Sequence, residues 1–507
     1  MSTFSVDIGV GQTETGPFEN MEALVDTGAF YGWIPRSVLE RLKISPSGTR
    51  TFVLANGKEV DEQIGYGWIR LQGEAGPTIF VFAPDGTEPL LGAYTLEGFG
   101  LAADPIKERL VPMPKLRAYH STEQTEAQMD LGLDEQQEML KNFARDFLEK
   151  ECPESLVRAM EEDEKGYSPE LWQKMAQQGW MGLIIPEQYG GTGMNLCELV
   201  VLLEEFGRAL VPGPFISTVV LGGVPTMEAG TDQQKDWVLP KIASGELIMT
   251  MALTEPSAKW TADGVQLEAK KDGDSYVLNG TKLFVPDAHV SDSMIVVART
   301  GPSGKDGEDG ITLFYVNPKE QGAKCEQLKT IASDKQSEVT FENVKVPAYQ
   351  MLGQEGKGWR IVERTQKVAT VAACAYLVGL SQMDFDVTLN YAKERVQFGR
   401  PIGSFQAIQH KLADAVIDVD GSRFITYKAA WSLQENEPDA DLMISMAKAW
   451  TSDASRRVVA HGQQIHGGIG FTKEYKIQLY FRRQKWMELM WGDADYHREL
   501  VAQKLEV

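Results

Sequence analysis

Apolar and polar positions change their period three times along the chain. Up to about residue 117, short runs rich in Val, Ile, Phe and Trp alternate with glycine and proline. Thr51–Leu54 and Thr78–Phe82, with turns such as Asn56-Gly57, are examples. This pattern predicts short strands and tight turns, an all-β module over residues 1–117. Residues 118–130 (AYHSTEQTEAQMD) are polar and read as a linker. From there Leu133, Met139, Leu140, Phe143 and Phe147 recur at spacings of three and four. That spacing predicts a helical domain over 131–247, interrupted by the glycine-rich Tyr189–Met194. Strands return over 248–346, at Tyr276–Leu278, Met294–Ala298, Ile311–Val316 and Glu338–Phe341. Between two of them, Gly301–Gly310 lacks phosphate-loop spacing and reads as a solvated hairpin loop. Residues 347–507 are helical again. Their longest apolar stretch, Val368–Leu380, is too short to cross a bilayer and predicts a buried helix.

Composition narrows the class. The 507 residues suggest about three domains, or one multi-lobed unit with an added module. A hydrophobic share of 43% and a charged share of 24% fit a globular protein. With 72 acidic against 50 basic residues the net charge is −22, which disfavours nucleic acid and anionic membrane as partners. The opening MSTFSVDIGV has neither a basic nor an apolar leader region, so no secretory signal is expected. Cys152, Cys197, Cys325 and Cys374 lie far apart with no C-x-x-C, so neither a disulfide frame nor a metal site is expected. A reduced, cytoplasmic protein is the expectation.

In the first module, Ala23-Leu24-Val25 leads into Asp26-Thr27-Gly28-Ala29. Peptide hydrolysis by aspartates needs two carboxyls sharing one proton, and the chain has no second D-T-G or D-S-G. A working site would therefore need two copies of Asp26, brought together by dimerisation. Residues 1–115 resemble the retropepsin-like aspartic protease family, through Leu24–Ala29, a flap hairpin around Leu54–Trp68, and Leu90-Leu91-Gly92 with Leu96 and Gly98 after it. The resemblance implies that Leu91 and Gly92 pack behind the catalytic turn, with Asp26 catalytic if the module is active. A dimerising β-module with Asp26 in a turn is the alternative.

Five stretches of the larger part fit together in order: Pro186–Met194, Leu253-Thr254-Glu255-Pro256, Asn279–Ala288, Tyr391–Gly399 followed by Phe405–Gln409, and Gln464–Thr472. Residues 130–507 closely resemble the acyl-CoA dehydrogenase family. That implies a helical lobe, a middle β-barrel-like domain and a C-terminal four-helix bundle, with FAD between them and each flavin site completed by a second subunit. Arg395 is a forked cation suited to a pyrophosphate, with Gln406 as a neutral donor beside it. A salt bridge to Glu394 is the alternative for Arg395. Gly467 and Gly468 let backbone approach the dinucleotide, and Gln464 can bond the adenosine half. Thr254 and Phe284 would touch the flavin ring, and Phe398 completes the set that the resemblance carries over.

Dehydrogenation at Cα–Cβ needs a base for the α-proton, an acceptor for the β-hydride and donors to the thioester oxygen. Walking forward from Gln464–Phe471, the family's glutamate position falls on Trp491, in Met490-Trp491-Gly492-Asp493. A subgroup's alternative position, counted from Gly356-Lys357-Gly358, falls on Ala369, with Thr370 where an arginine is usual. Neither carries a base. The glycine-rich stretch after T-E-P is Ser257–Thr261 instead, and Pro286 offers the flavin neither a hydroxyl nor an N–H. Three readings stay open. The chain is a subunit of a homo- or hetero-oligomer whose partner dehydrogenase subunit supplies the glutamate, acting on an acyl-CoA in fatty-acid or sterol catabolism. Alternatively, Asp493 replaces the glutamate in an active homomer. In the third reading, the flavin fold is a scaffold for other chemistry, including a dimeric aspartic peptidase.

Overall fold

The computed structural model describes residues 4–13, 15–26, 29, 31–53, 59–99, 101–104, 107, 109–112, 132–304 and 307–506. By its internal contacts the chain forms two compact units, residues 1–127 and 128–507.

The first unit is β1 (Ser5–Gly11), β2 (Phe18–Val25), β3 (Gly32–Pro35), α1 (Arg36–Arg41), β4 (Gly48–Val53), β5 (Glu59–Leu71), β6 (Glu74–Ala83), β7 (Leu90–Leu91), α2 (Ala93–Gly98), β8 (Leu101–Asp104) and β9 (Arg109–Pro112). Seven strands make one sheet in the order β1-β2-β7-β3-β6-β5-β4. A further β1–β5 pairing curls it round on itself. Alternating residues turn Ile8, Val10, Ile34, Ile69, Phe80 and Phe82 into one buried core. The Asn56-Gly57 turn and the first part of the expected flap, residues 54–58, fall outside the described residues.

The second unit opens with six helices: α3 (Glu135–Glu151), α4 (Glu154–Glu162), α5 (Pro169–Gln177), α6 (Leu196–Ala209), α7 (Val224–Ala229) and α8 (Asp232–Ala243). Asp134 starts α3 with a reciprocal cap, its carboxylate accepting from Gln137 N while Gln137 accepts from Asp134 N. A π-helical turn over Ile216–Gly223 leads into α7.

An eight-stranded sheet follows, from β10 (Met249–Ala252), β11 (Glu268–Asp272), β12 (Ser275–Pro286), β13 (Ser293–Arg299), β14 (Ile311–Val316), β15 (Ala323–Leu328), β16 (Gln336–Pro347) and β17 (Met351–Leu352). Its order is β15-β16-β12-β11-β13-β14-β17, with β10 beside β13.

The C-terminal part holds α9 (Trp359–Glu394), a hairpin of β18 (Val396–Gln397) and β19 (Arg400–Pro401), α10 (Gln406–Gln434), α11 (Ala440–His466), α12 (Ile477–Leu489) and α13 (Ala494–Leu505). Val368–Leu380 lies in the middle of α9 with nearly every residue buried, because this helix is packed around by the others. The four cysteines are free thiols.

Candidate functional site

Two backbone irregularities shape the interior of the second unit. Pairing of β12 with β16 slips between Lys282 and Val285, and Phe284 in that slip takes φ +54°. The bulge turns the Phe284 ring outward, leaving it 46% exposed instead of packed on the sheet. Next to it, Leu283 N donates to Thr254 O at 2.8 Å, tying the T-E-P segment to β12. Lys282, fully buried, reinforces this tie. Its Nζ donates to Glu255 Oε1 at 2.7 Å and Leu253 O at 3.0 Å. Burial lowers the Lys282 amine to about 8, against the pull of Glu255. Thr254, Phe284, Pro286, Trp260, Gln366 and Trp491 then meet around one small inner pocket of about 20 Å³.

The second irregularity is the Met490-Trp491-Gly492 turn between α12 and α13. Trp491 has φ +56° and Gly492 +95°, and a Cβ on Gly492 would lie 2.3 Å from the Tyr496 ring. Two buried side chains grip the turn by its carbonyls. Lys448 Nζ donates to Glu488 O at 2.7 Å, Gly492 O at 2.8 Å and Met487 O at 3.2 Å. His497 Nε2 donates to Trp491 O at 3.0 Å. Burial pushes His497 down to about 4, so it is neutral near pH 7, and Lys448 down to about 8.

The indole held by this turn is shared by three cavities. One is the inner pocket just described. The second is an outer chamber of about 660 Å³, lined with Trp260 and Trp359 and rimmed by Glu363, Lys367 and Asp441. The third, of about 30 Å³, lies beyond Pro286 and Met490. Among the described residues, no carboxylate lines the pocket that contains Thr254 and Phe284. Ala369 is fully buried on α9, and the Thr370 hydroxyl is spent on Gln366 O at 2.7 Å. Asp493 caps α13, its Oδ1 accepting from Tyr496 N at 3.0 Å, and lines none of these three cavities.

The remaining sequence-selected residues form an outward set. Val396–Pro401 is a two-residue hairpin whose turn, Phe398-Gly399, has φ of +54° and +79° at both central positions, the geometry of a type I′ turn. It projects Phe398 until the ring is 91% exposed. Arg395 and Gln406, at either side of this hairpin, are exposed, and Arg395 makes no ion pair among the described residues. The alternative bridge to Glu394 is therefore not formed. Gln464 opens on a cleft of about 710 Å³ that Phe471 and Arg482 also line. A Cβ on Gly467 or Gly468 would meet nothing within 4 Å, so this chain leaves open space in front of that backbone. An unpaired guanidinium, open glycine backbone and uncovered aromatics fit a dinucleotide lying across this surface.

In the first unit, Asp26 N donates to Leu91 O at 3.1 Å and Ala93 N to Ala29 O at 2.8 Å. A side chain at Gly92 would strike Tyr31 O, 2.5 Å from the Cβ position. The L-L-G segment is therefore packed against Asp26, Ala29 and Tyr31. Thr27 and Gly28 lie outside the described residues.

Comparison with known proteins decides the family. The acyl-CoA dehydrogenase N-terminal, middle and C-terminal domains match residues 134–246, 250–344 and 356–506. The chain belongs to the acyl-CoA dehydrogenase family. An aspartyl protease domain matches residues 11–95 in front of it. A 3-(aryl)acrylate reductase of Clostridium sporogenes is 36% identical over 376 residues, 73% of this chain and 98% of that protein. The structure of butyryl-CoA dehydrogenase from Megasphaera elsdenii is similar at a TM-score of 0.69, with 32% identity over 75% of this chain and 100% of its own. The ChsE4-ChsE5 complex from Mycobacterium tuberculosis is similar at a TM-score of 0.68, with 27% identity over 75% and 99%. As a member of this family the chain is a flavoprotein of FAD.

Sequence reasoning missed Lys448, Asp287 and Ser217. Lys448 acts on backbone carbonyls about 40 residues downstream in the chain, a relation that leaves no local signature. Asp287 lies in the Asn279–Ala288 stretch, but its partner Ser217 is 70 residues away.

Proposed function

We propose that the chain is one subunit of an FAD-linked acyl-CoA dehydrogenase, working at the Cα–Cβ bond of an acyl-CoA thioester and dependent on a partner subunit for its proton acceptor. FAD, when bound, accepts the hydride from Cβ. Thr254 and Phe284 would face its ring, Arg395 and Gln406 would hold its pyrophosphate, Gln464 would bond the adenosine half, Gly467 and Gly468 would let backbone approach the dinucleotide, and Phe398 would complete the set. The outward set is exposed in this chain, so it serves a site that a second subunit closes. Trp491 walls the reaction cavity and keeps water from it, but an indole cannot take up an α-proton. The observation that carries the reading is this indole, standing where three cavities meet on a turn that Lys448 and His497 hold by its carbonyls.

The relatives support the class of substrate and the mode of assembly. One is named as a reductase of an aryl-substituted acrylate, an α,β-unsaturated acid, and one similar structure is a complex of two named chains. The test is flavin stoichiometry and bleaching by an acyl-CoA thioester, with the chain alone and co-expressed with a second dehydrogenase subunit. The expected result is bleaching only in the complex. A chain that alone holds one FAD per protomer and bleaches would refute the reading.

The packing of Leu91-Gly92 against Asp26 and Ala29 favours a second activity for the first unit. There Asp26 pairs with Asp26 of another copy and hydrolyses peptides. Cleavage of a casein substrate that vanishes in Asp26→Asn is the expected result, and cleavage surviving that change would exclude it.

A further inference from the structure

Among the residues lining the two inner pockets, one carboxyl stands out. Asp287 follows directly after β12 at φ +53° and is held there by its N–H, which donates to Lys335 O at 2.8 Å. Its Oδ2 accepts a short hydrogen bond from Ser217 Oγ, on the π-helical turn. Oδ1 has no donor among the described residues. Both side chains line the pocket of about 30 Å³ beyond Trp491. The other walls include Phe206, Val211, Phe215, Leu221 and Met487, so the surround is mostly apolar, with Tyr376 and Trp486 as further polar-tipped residues. Desolvation pushes Asp287 up to about 7, with Asp334 adding to the rise and Ser217 opposing it.

Asp287 does not line the pocket that contains Thr254 and Phe284. Leu221, Pro286, Met490 and Trp491 line both that pocket and the one of Asp287, so the two adjoin. With the reacting carbons of a thioester in the pocket of Thr254 and Phe284, this neighbouring space is left for the tail of the acyl group. A space of about 30 Å³ has room for roughly two water-sized groups, which is the tip of a chain and not its body. A plain methyl end placed there would leave Oδ1 buried with no donor among the described residues, which disfavours its binding. A hydroxyl would satisfy it.

We propose that Asp287 and Ser217 form a tail-recognition point that selects acyl thioesters ending in a hydroxyl over those ending in plain alkyl. This rests on the reading of the cavity as a thioester site. Sites built to bond a hydroxyl reject the analogue that lacks it far more strongly than apolar pockets discriminate by size.

The test uses the full chain with any co-purifying subunit and matched pairs of probes: butanoyl- and 4-hydroxybutanoyl-CoA, hexanoyl- and 6-hydroxyhexanoyl-CoA, octanoyl- and 8-hydroxyoctanoyl-CoA. Dissociation constants are measured by equilibrium dialysis. At the length that reaches Asp287, the hydroxy probe binds about tenfold or more tightly than its partner. In Asp287→Leu the ratio falls to within twofold, and Asp287→Asn, which preserves size, lowers it if the leucine variant does not fold. A bond that only stitches the helical lobe to the sheet would weaken both members of a pair alike and leave the ratio unchanged. An unchanged ratio, or no hydroxyl preference at any length, overturns the proposal. Failure of all six thioesters to bind removes the thioester reading itself, and the inference with it.

Discussion

The inward and outward parts of the proposed flavin site are built on opposite plans. Inward, every irregularity is held from within the chain: the Phe284 bulge by Leu283 and Lys282, the Trp491 turn by Lys448 and His497. Outward, Arg395 has no ion pair among the described residues, Phe398 projects from a turn, and Gly467 and Gly468 face open space. A polar network satisfied by one polypeptide forms on folding, whereas an exposed cation and bare aromatic gain their partners only on binding. The contrast implies that mutations inward cost stability, and mutations outward cost cofactor.

The largest effect should come from the outward set. Arg395→Glu replaces a forked donor with a repelling charge, so FAD binding should weaken by roughly a thousandfold, about 4 kcal/mol. Because the guanidinium supports nothing else described in this chain, unfolding should shift by less than about 0.5 kcal/mol. Flavin titration beside a denaturation curve reads both. Loss of stability without loss of flavin would reverse the contrast.

Lys448→Met is the inward counterpart. It strips the donor from the carbonyls of Met487, Glu488 and Gly492, and each buried acceptor left bare costs roughly 1–3 kcal/mol. A loss of about 3 kcal/mol or more is expected, with thermal unfolding of the apoprotein as the measurement. An unaffected midpoint would mean that the turn is held by something other than this amine.

Asp287 gives a smaller effect with a distinctive pH course. Its folded value, about 7, lies above the ordinary 3.8, so between those limits the folded state binds more protons than the unfolded one. Its contribution is therefore fully present below about pH 4 and is lost as pH rises through 7. Asp287→Asn removes the ionisation, and relative to the parent it should be more stable at pH 8, by a few kcal/mol at most. The gain should shrink to nothing near pH 4. A constant difference across that range would show that the carboxyl is solvated after all.

Much of this arrangement could be read before any coordinates. Counting forward from Gln464 puts Trp491 where the family's glutamate is expected, and its indole lines the same pocket as Thr254 and Phe284. The strand and helix periods located the lobes, since long apolar spacings such as those in α9 survive any detail of packing. What escaped was long-range or conformational. The outward turn of Phe284 depends on a slipped register between two strands, and register is not written in the composition of either. Lys448 looks like any helical lysine until its amine is seen among three carbonyls of another helix end. In the first unit the L-L-G motif was legible because a glycine there answers a backbone contact that a Cβ would block.

The smallest effect separates the open readings most cleanly. Asp493 accepts from Tyr496 N at the start of α13, a cap whose loss on Asp493→Ala should cost about 1 kcal/mol. Asparagine caps helices as well as aspartate does, so Asp493→Asn keeps the cap and removes only the charge. If the proton acceptor comes from a partner, that variant should match the parent in both stability and the extent of flavin bleaching by a thioester. If Asp493 were itself the base, bleaching would collapse while the unfolding curve stayed where it was. The inward part of the site would then be complete without a partner, and Trp491 would be a wall beside the base, not a substitute for it.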